Sequence, residues 1–290
     1  MMNKRVKNEE DEFKTNEEEC KQVNDRGPPG SKGNYHSYYK KRIDLPDRMK
    51  DLDESWFQGK VCLDIGCNDG LVTCEIAKSF KPESIIGIDI DKFLIESAES
   101  RLKRARFSIL KEGKELPSSS SLGRFVPRSV KGMRPNMKSL MDPNKVLSEK
   151  KETFPANVRF IHKDFFELEE SFGGRYDTII CLSITKWIHL YHGDEGILRF
   201  FGNIHGLLKN NGLFILEYQP WKSYKKRKNA SEICQNNYNR IEIFPSMFRD
   251  MLINRFHFDV QRELRTDETS CSGFLRPILV LRKLNSIPPT

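Results

Sequence analysis

The chain contains no Cys-x-x-Cys pair, and its seven cysteines are an odd number scattered between Cys20 and Cys271. That pattern excludes a disulfide framework and gives no basis for structural zinc. No apolar run approaches the roughly 20 residues that cross a bilayer. The Asn/Lys/Glu-rich start lacks the apolar stretch of a signal peptide. A soluble intracellular protein, with no membrane partner and no metal, is expected. Apolar residues make up only 37% of 290 positions, which implies one folded domain diluted by polar segments. Acidic charge is also short: 49 Lys and Arg against 41 Asp and Glu leave a formal net charge of +8. That balance favours a polyanionic partner without identifying it.

Residues 1–32 are charged, Gly/Pro-punctuated and without period, and read as a disordered tail. The folded unit is expected over 33–284, with a short tail at 285–290. Inside it, residues 107–153 hold Ser118-Ser-Ser-Ser121, repeated Gly and Pro and many basic residues, and read as a disordered insert. Elsewhere strands and helices alternate. Strands are expected at Val61–Ile65, Ser84–Ile90, Val158–Ile161, Tyr176–Leu182, Leu213–Glu217, Phe258–Leu264 and Pro277–Leu281. Helices are expected after Gly70 to about Phe80, over Lys92 to about Arg106, over about 195–208 and near Ser246–Asn254. This order predicts an α/β, Rossmann-like, mostly parallel seven-stranded sheet. The last two strands have no helix between them, so the last is expected to be antiparallel.

Asp64-Ile-Gly-Cys-Asn-Asp-Gly70 leaves the first strand and enters the first helix. Gly66 allows a sharp turn close to a ligand, and Gly70 allows close helix–strand packing. Asp89 ends the next strand, where a carboxylate can accept hydrogen bonds from both ribose hydroxyls of an adenosine. A dinucleotide would need G-x-G-x-x-G for its pyrophosphate; here Asn68 replaces the middle glycine. Asp64 and Asp69 repel pyrophosphate but suit the ammonium of S-adenosylmethionine. The bland reading is a tight turn, with Asp89 as a helix cap. Further on, Cys181-Leu-Ser-Ile-Thr-Lys-Trp-Ile-His189 runs out of a buried strand. Lys186, Trp187 and His189 then stand where ligands of open α/β sheets bind.

These pieces together resemble the RNA 5′-phosphate methyltransferases of the bicoid-interacting type. The matching runs are Gly33-Asn-Tyr-His-Ser-Tyr-Tyr39 with Arg42, Trp56-Phe-Gln-Gly59, Leu63-Asp-Ile-Gly-Cys-Asn68 and Gly87-Ile-Asp-Ile-Asp91. Leu182–His189, Gly193-Asp-Glu-Gly196, Gln219-Pro-Trp-Lys-Ser-Tyr224 with Lys226-Arg-Lys228, and Gly273-Phe-Leu-Arg-Pro277 follow in order. The resemblance implies the class I S-adenosylmethionine-dependent methyltransferase fold and its cofactor. It places Tyr39 and Arg48 against the methionine end. Asp64, Gly66, Cys67, Asn68, Asp89, Ile90, Asp164, Phe165 and Leu182 would line the rest. Asp164-Phe165 stands where an Asn-Tyr-like pair is common, Tyr218 where proline is usual, and Asn210-Asn-Gly212 replaces a Pro-Gly-Gly-like turn.

The implied reaction is in-line attack of a phosphate oxygen on the sulfonium methyl. Lys186 would supply a compact charge, Arg42 and Arg276 would fork across oxygens, and Tyr38 would add a hydrogen bond. His189 reads as structural. Lys222, Lys225, Lys226, Arg227 and Lys228 surround Trp221 and Tyr224, a mix that suits a single-stranded RNA end that stacks bases on rings. Lys186 and the Gly273–Pro277 run favour the branch that puts a methylphosphate cap on the gamma phosphate of a small nuclear RNA. A 5′-monophosphate enzyme and an RNA-clamping chaperone with vestigial catalysis are the alternatives. A monomeric nuclear protein is expected, with ribonucleoprotein partners.

Overall fold

The computed structural model describes residues 49–111, 153–168, 173–265 and 276–284. The two expected tails and positions 112–152 lie outside the described residues. Seven strands form one sheet: β1 (Val61–Ile65), β2 (Ser84–Asp89), β3 (Val158–His162), β4 (Tyr176–Leu182), β5 (Leu208–Glu217), β6 (Phe258–Leu264) and β7 (Ile278–Lys283). Their order is β3-β2-β1-β4-β5-β7-β6. All pairs among β1 to β5 are parallel, whereas β7 runs antiparallel to both β5 and β6.

The central strands are apolar on both sides because both faces are covered. Alternate residues feed two cores: Cys62, Ile180 and Ile215 face one, Leu63, Ile179 and Phe214 the other. The first core is closed by helix α1 (Leu71–Phe80), through Val72 and Ile76, and by α2 (Lys92–Lys111), through Ile95 and Leu102. On the second face lies α3 (Thr185–Leu207), with Ile197, Phe200, Phe201 and Ile204. Two short helices follow, α4 (Lys222–Lys225) and α5 (Glu232–Tyr238); then α6 (Phe248–Asn254) adds Phe248 and Leu252 to the second core. Among the described residues no helix is long and apolar enough to cross a membrane.

Three boundaries differ from the sequence expectation by more than two residues. Helix α2 continues to Lys111, so Phe107–Lys111 belong to the helix and not to an insert. Helix α3 starts at Thr185, ten residues early, and the expected start near residue 195 is instead a kink at Gly193 (φ 64°, ψ −164°). Strand β5 starts at Leu208 and is interrupted around Asn211 (φ 62°), where its register against β4 shifts.

The strand order reverses on either side of β1, which pairs with both β2 and β4. A crevice therefore opens beyond the carboxyl ends of β1 and β4, the usual ligand position in such sheets. Gly87 on β2 makes room for its near wall, because a Cβ there would lie 2.7 Å from Phe160 Cδ1 and 2.9 Å from Cys67 Cβ. Gly87→Ala is expected to destabilise the fold by about 1–3 kcal/mol through overpacking. A lowered urea midpoint with an unchanged slope would show it.

Candidate cofactor and phosphate site

Three left-handed residues shape the loop from β1 to α1: Gly66 (φ 73°), Asn68 (φ 54°) and Gly70 (φ 71°). Asparagine is one of the few side chains that tolerates this region. The Gly66 and Cys67 amides donate to the Ile88 carbonyl at 2.8 and 3.0 Å, tying the loop to β2. A Cβ on Gly66 would collide with Ile184, and one on Gly70 would meet Phe160 and Ala98. The loop thus packs as close to its neighbours as backbone allows.

Asp89 closes the crevice from the end of β2. Its Oδ2 accepts the Asn68 amide and its Oδ1 the Asp91 amide, each at 2.9 Å. Each oxygen keeps a lone pair for a further donor. Burial pushes the carboxyl up from 3.8 to about 6, against the lowering effect of the two amides. Next to it Ile90 is 43% exposed, an apolar surface beside a hydrogen-bond acceptor. Asn68 Oδ1 is buried and has no hydrogen-bond partner among the described residues. A closely approached glycine turn, an orphaned amide oxygen and a fixed carboxylate together fit a nucleoside cofactor.

The other expected cofactor residues divide. Leu182 ends β4, at the crevice. Asp164 caps a short 3-10 turn, its Oδ1 accepting the Phe166 amide at 2.9 Å. Phe165 is buried, edge-on to Phe200 with centroids 4.8 Å apart, so most of its ring belongs to the second core. Asp64 is buried and accepts the Thr73 hydroxyl at 2.6 Å. The Cys67 thiol is buried in the first core and pushed up by desolvation. Asp69 is paired with Arg101 of α2 at 2.8 Å, so its carboxylate serves helix packing instead of an ammonium ligand. Tyr38, Tyr39, Arg42 and Arg48 lie outside the described residues, as do positions 273–275.

Beyond β4 and β5 the strand ends gather a cationic cluster around a buried carboxylate. Ser183 takes φ 68°, and its hydroxyl donates to Glu217, a carboxylate with no exposed surface. Arg276, just before β7, brings Nη1 to 3.8 Å from Glu217 Oε1. That is too long for a hydrogen bond, and this buried nitrogen has no hydrogen-bond partner among the described residues. Lys186 lies in the first turn of α3, 8% exposed and 5.0 Å from the Trp187 ring centroid. Burial, with Arg276, Arg227 and Lys226 nearby, pulls its ammonium down from 10.5 to about 7. Lys186 forms no ion pair among the described residues. Cations gathered at the strand ends in this way favour an anionic ligand.

Glu217 and Gln219 were given no role at the sequence level. Glu217 shows the same signal that singles out Asp89, an acidic residue closing an apolar strand. The aromatic part of the basic segment reads differently in three dimensions. Tyr224 has no exposed surface, and Trp221 stacks on Tyr238 at 4.7 Å with Phe244 against its edge. These rings form a small core of their own with Leu190 and Cys234 and are not a platform for bases. The lysines Lys222, Lys225 and Lys226 point outward, exposed. No metal-ligand cluster occurs among the described residues.

Residues 176–283 match the family of Bicoid-interacting protein 3 (Bin3). Over 257 residues the chain is 37% identical to a probable RNA methyltransferase of Arabidopsis thaliana, covering 87% of this chain and 80% of that one. The chain belongs to the Bin3 family. It is also 33% identical to the human 7SK snRNA methylphosphate capping enzyme over 88% of its own length, but spans only 39% of that protein. Among solved structures, phosphoethanolamine N-methyltransferase 1 of Haemonchus contortus is similar in fold, at 13% identity and a TM-score of 0.53, covering 97% of this chain and 50% of that one. The Bin3 chain has the class I S-adenosylmethionine-dependent methyltransferase fold.

Asp89→Ala is expected to weaken S-adenosylmethionine binding by about 1.5–3 kcal/mol, the cost of lost charge-assisted hydrogen bonds, with RNA affinity little changed. Isothermal titration checks both. The same experiment across pH reads the raised carboxyl. The ionised form is the better acceptor, so cofactor affinity should fall as pH drops through about 6, and Asp89→Asn should flatten that dependence.

Proposed function

We propose that this Bin3-family chain methylates the terminal phosphate of an RNA 5′ end, the gamma phosphate of a small nuclear RNA, to form a methylphosphate cap. The observation that carries the reading is the buried cationic cluster of Lys186 and Arg276, with Lys226 and Arg227 beside it, next to the cofactor loop. When bound, S-adenosylmethionine supplies a methyl carbon made electrophilic by its sulfonium. The residues of the chain do the rest. The phosphate oxygen is already anionic near neutral pH, its second pKa being about 6, so no strong base is required. Lys186 holds the terminal phosphate as a compact charge. Arg276, whose Nη1 lies 3.8 Å from the Glu217 carboxylate, offers its donors to a second oxygen.

Tyr38 and Arg42 are assigned to the phosphates and Tyr39 and Arg48 to the cofactor's methionine end. Asp64, Gly66, Asn68, Asp89, Ile90, Asp164 and Leu182 surround the nucleoside, and the exposed lysines of the basic segment follow the RNA backbone. Residues 33–284 form the working unit, a nuclear monomer that meets its RNA within a ribonucleoprotein. The names of the relatives support an RNA substrate; the number of cations supports more than one phosphate.

Lys186→Ala should lower single-turnover methylation of a 5′-triphosphate RNA by about 10²–10³, the usual worth of an aimed charge, while S-adenosylmethionine affinity stays unchanged. Wild-type rates in this variant, or equal methylation of a 5′-hydroxyl RNA, would sink the reading. A faster reaction on 5′-monophosphate RNA would move the chain to that branch, and bound cofactor without turnover would make it a clamp.

The pH profile is a separate expectation. The phosphate must lose its proton, near pH 6, and Lys186 must keep its own, up to about 7 in the free protein. A bell-shaped kcat/KM profile results, with a narrow top. In Lys186→Arg, charged at every working pH, the descending limb should disappear although the maximum is lower. A limb that persists would assign it to another group.

A further inference from the structure

His189, the Gly193-Asp-Glu-Gly196 run and Tyr224 have no part in the site as described, yet they join into one line of polar groups leading to it. Gly193 breaks α3 in a left-handed conformation suited to glycine, and the break turns Asp194 back toward the first half of the helix. Asp194 Oδ1 lies 2.7 Å from His189 Nε2, and its Oδ2 accepts the Glu242 and Ile243 amides at 2.9 and 3.2 Å. The carboxylate is thus fixed from two directions. With a proton on Nε2 facing it, His189 presents Nδ1 as an acceptor to the Tyr224 hydroxyl, 3.4 Å away. The Thr185 side chain is a second partner of the Tyr224 hydroxyl; because the Thr185 proton goes to Gln219, the single Tyr224 proton is shared between His189 Nδ1 and Thr185 Oγ1. Thr185 Oγ1 in turn donates to Gln219 Oε1 at 3.0 Å, the same oxygen that accepts the Lys186 amide at 3.2 Å. Gln219 Nε2 closes the end by donating to the Ser183 carbonyl.

His189, Tyr224 and Thr185 have no exposed surface. In such surroundings a satisfied chain of hydrogen bonds fixes geometry, and an unsatisfied one is costly. Tyr224 has a second position of consequence. It lies on α4 between the exposed Lys222 and Lys225, directly before Lys226 and Arg227.

We infer that Asp194, His189 and Tyr224 form a positioning relay that, through Thr185 and Gln219, holds the first turn of α3 so that Lys186 faces the phosphate, and that pins the basic segment to the same turn. The inference rests on the phosphate reading above. None of the three touches substrate; they are positioning residues. Tyr224→Phe keeps the ring packing and removes one hydroxyl. Asp194→Asn keeps the shape and removes the charge.

In the full-length chain, at saturating S-adenosylmethionine and 5′-triphosphate RNA, each variant should lower the single-turnover rate about five- to tenfold, the worth of a buried hydrogen bond. Affinity for S-adenosylmethionine should stay within twofold. The double variant should be no slower than the slower single one, because both break one line. Placed in Lys186→Ala, Tyr224→Phe should cost nothing further, since the group it aims is gone. A merely structural tyrosine would multiply the loss in both backgrounds. Wild-type rates in Tyr224→Phe, or full additivity with Lys186→Ala, overturn the relay alone. A wild-type protein that methylates no 5′-phosphate RNA overturns the phosphate reading and the relay with it.

Discussion

A carboxylate with no exposed surface ends β5, and the strand ends around it are organised to accommodate that charge. Burying an ionised group is tolerated only with partners in good geometry. Ser183 provides one: its hydroxyl donates to Glu217, and its amide donates to the Glu217 carbonyl at 2.8 Å. To reach both, Ser183 adopts φ 68°, an unusual conformation for a side chain other than Gly, Asn or Asp. This sharp turn sends the chain off β4 toward the cofactor loop, where Ile184 fills the space left by the missing Cβ of Gly66. It also starts α3 at once, with Lys186 in the first turn. Arg276 completes the set at 3.8 Å. The β1–α1 loop, Lys186 and Arg276 are thus all linked to the buried Glu217 carboxyl through Ser183, Ile184 and the strand ends.

Much of this was legible in the sequence, and the exceptions have physical causes. Strands β1 to β4 announce themselves as short apolar runs, and the loop with Gly66, Asn68 and Gly70 ends where glycine spacing requires a turn. Asp89 stands out in the sequence as an acidic residue closing an apolar strand, and in the structure its two oxygens tie the β1–α1 loop to the end of β2. The start of α3 was not. Its N-cap position is Ile184, with no side-chain cap; the oxygen that accepts the Lys186 amide comes from Gln219, 33 residues after Lys186. A helix capped from a distance leaves no local signature, and Trp187 and Ile188 suit a strand as well as a helix. The basic segment was misread for a related reason. Trp221 and Tyr224, three apart, share one face of a single helical turn, which is the spacing of a packed face. Lysines between them made the rings look available. The loose count of charges was legible; their inward and outward sides were not.

The two halves of the site differ in sign, and the difference suits the reaction. On the loop side lie Asp64 and Asp89, with Asp69 neutralised by Arg101. On the strand-end side lie Lys186 and Arg276, with a single buried acid behind them. A positively charged donor thus meets acceptors, and a negatively charged acceptor meets donors. Leu182, Ser183 and Ile184 lead from the end of β4 between the two groups. When a cationic donor and an anionic acceptor exchange a methyl group, both charges shrink. A site shielded from water favours that change, provided each reactant is first held against its own hydration. Holding them requires fixed opposite charges that are themselves hard to bury. The depressed Lys186 and the raised Asp89 are two signs of one arrangement: burial disfavours the charged form of each, and an opposite charge or donor brought beside it favours that form. A ligand that supplies that charge or donor gains affinity from the same burial.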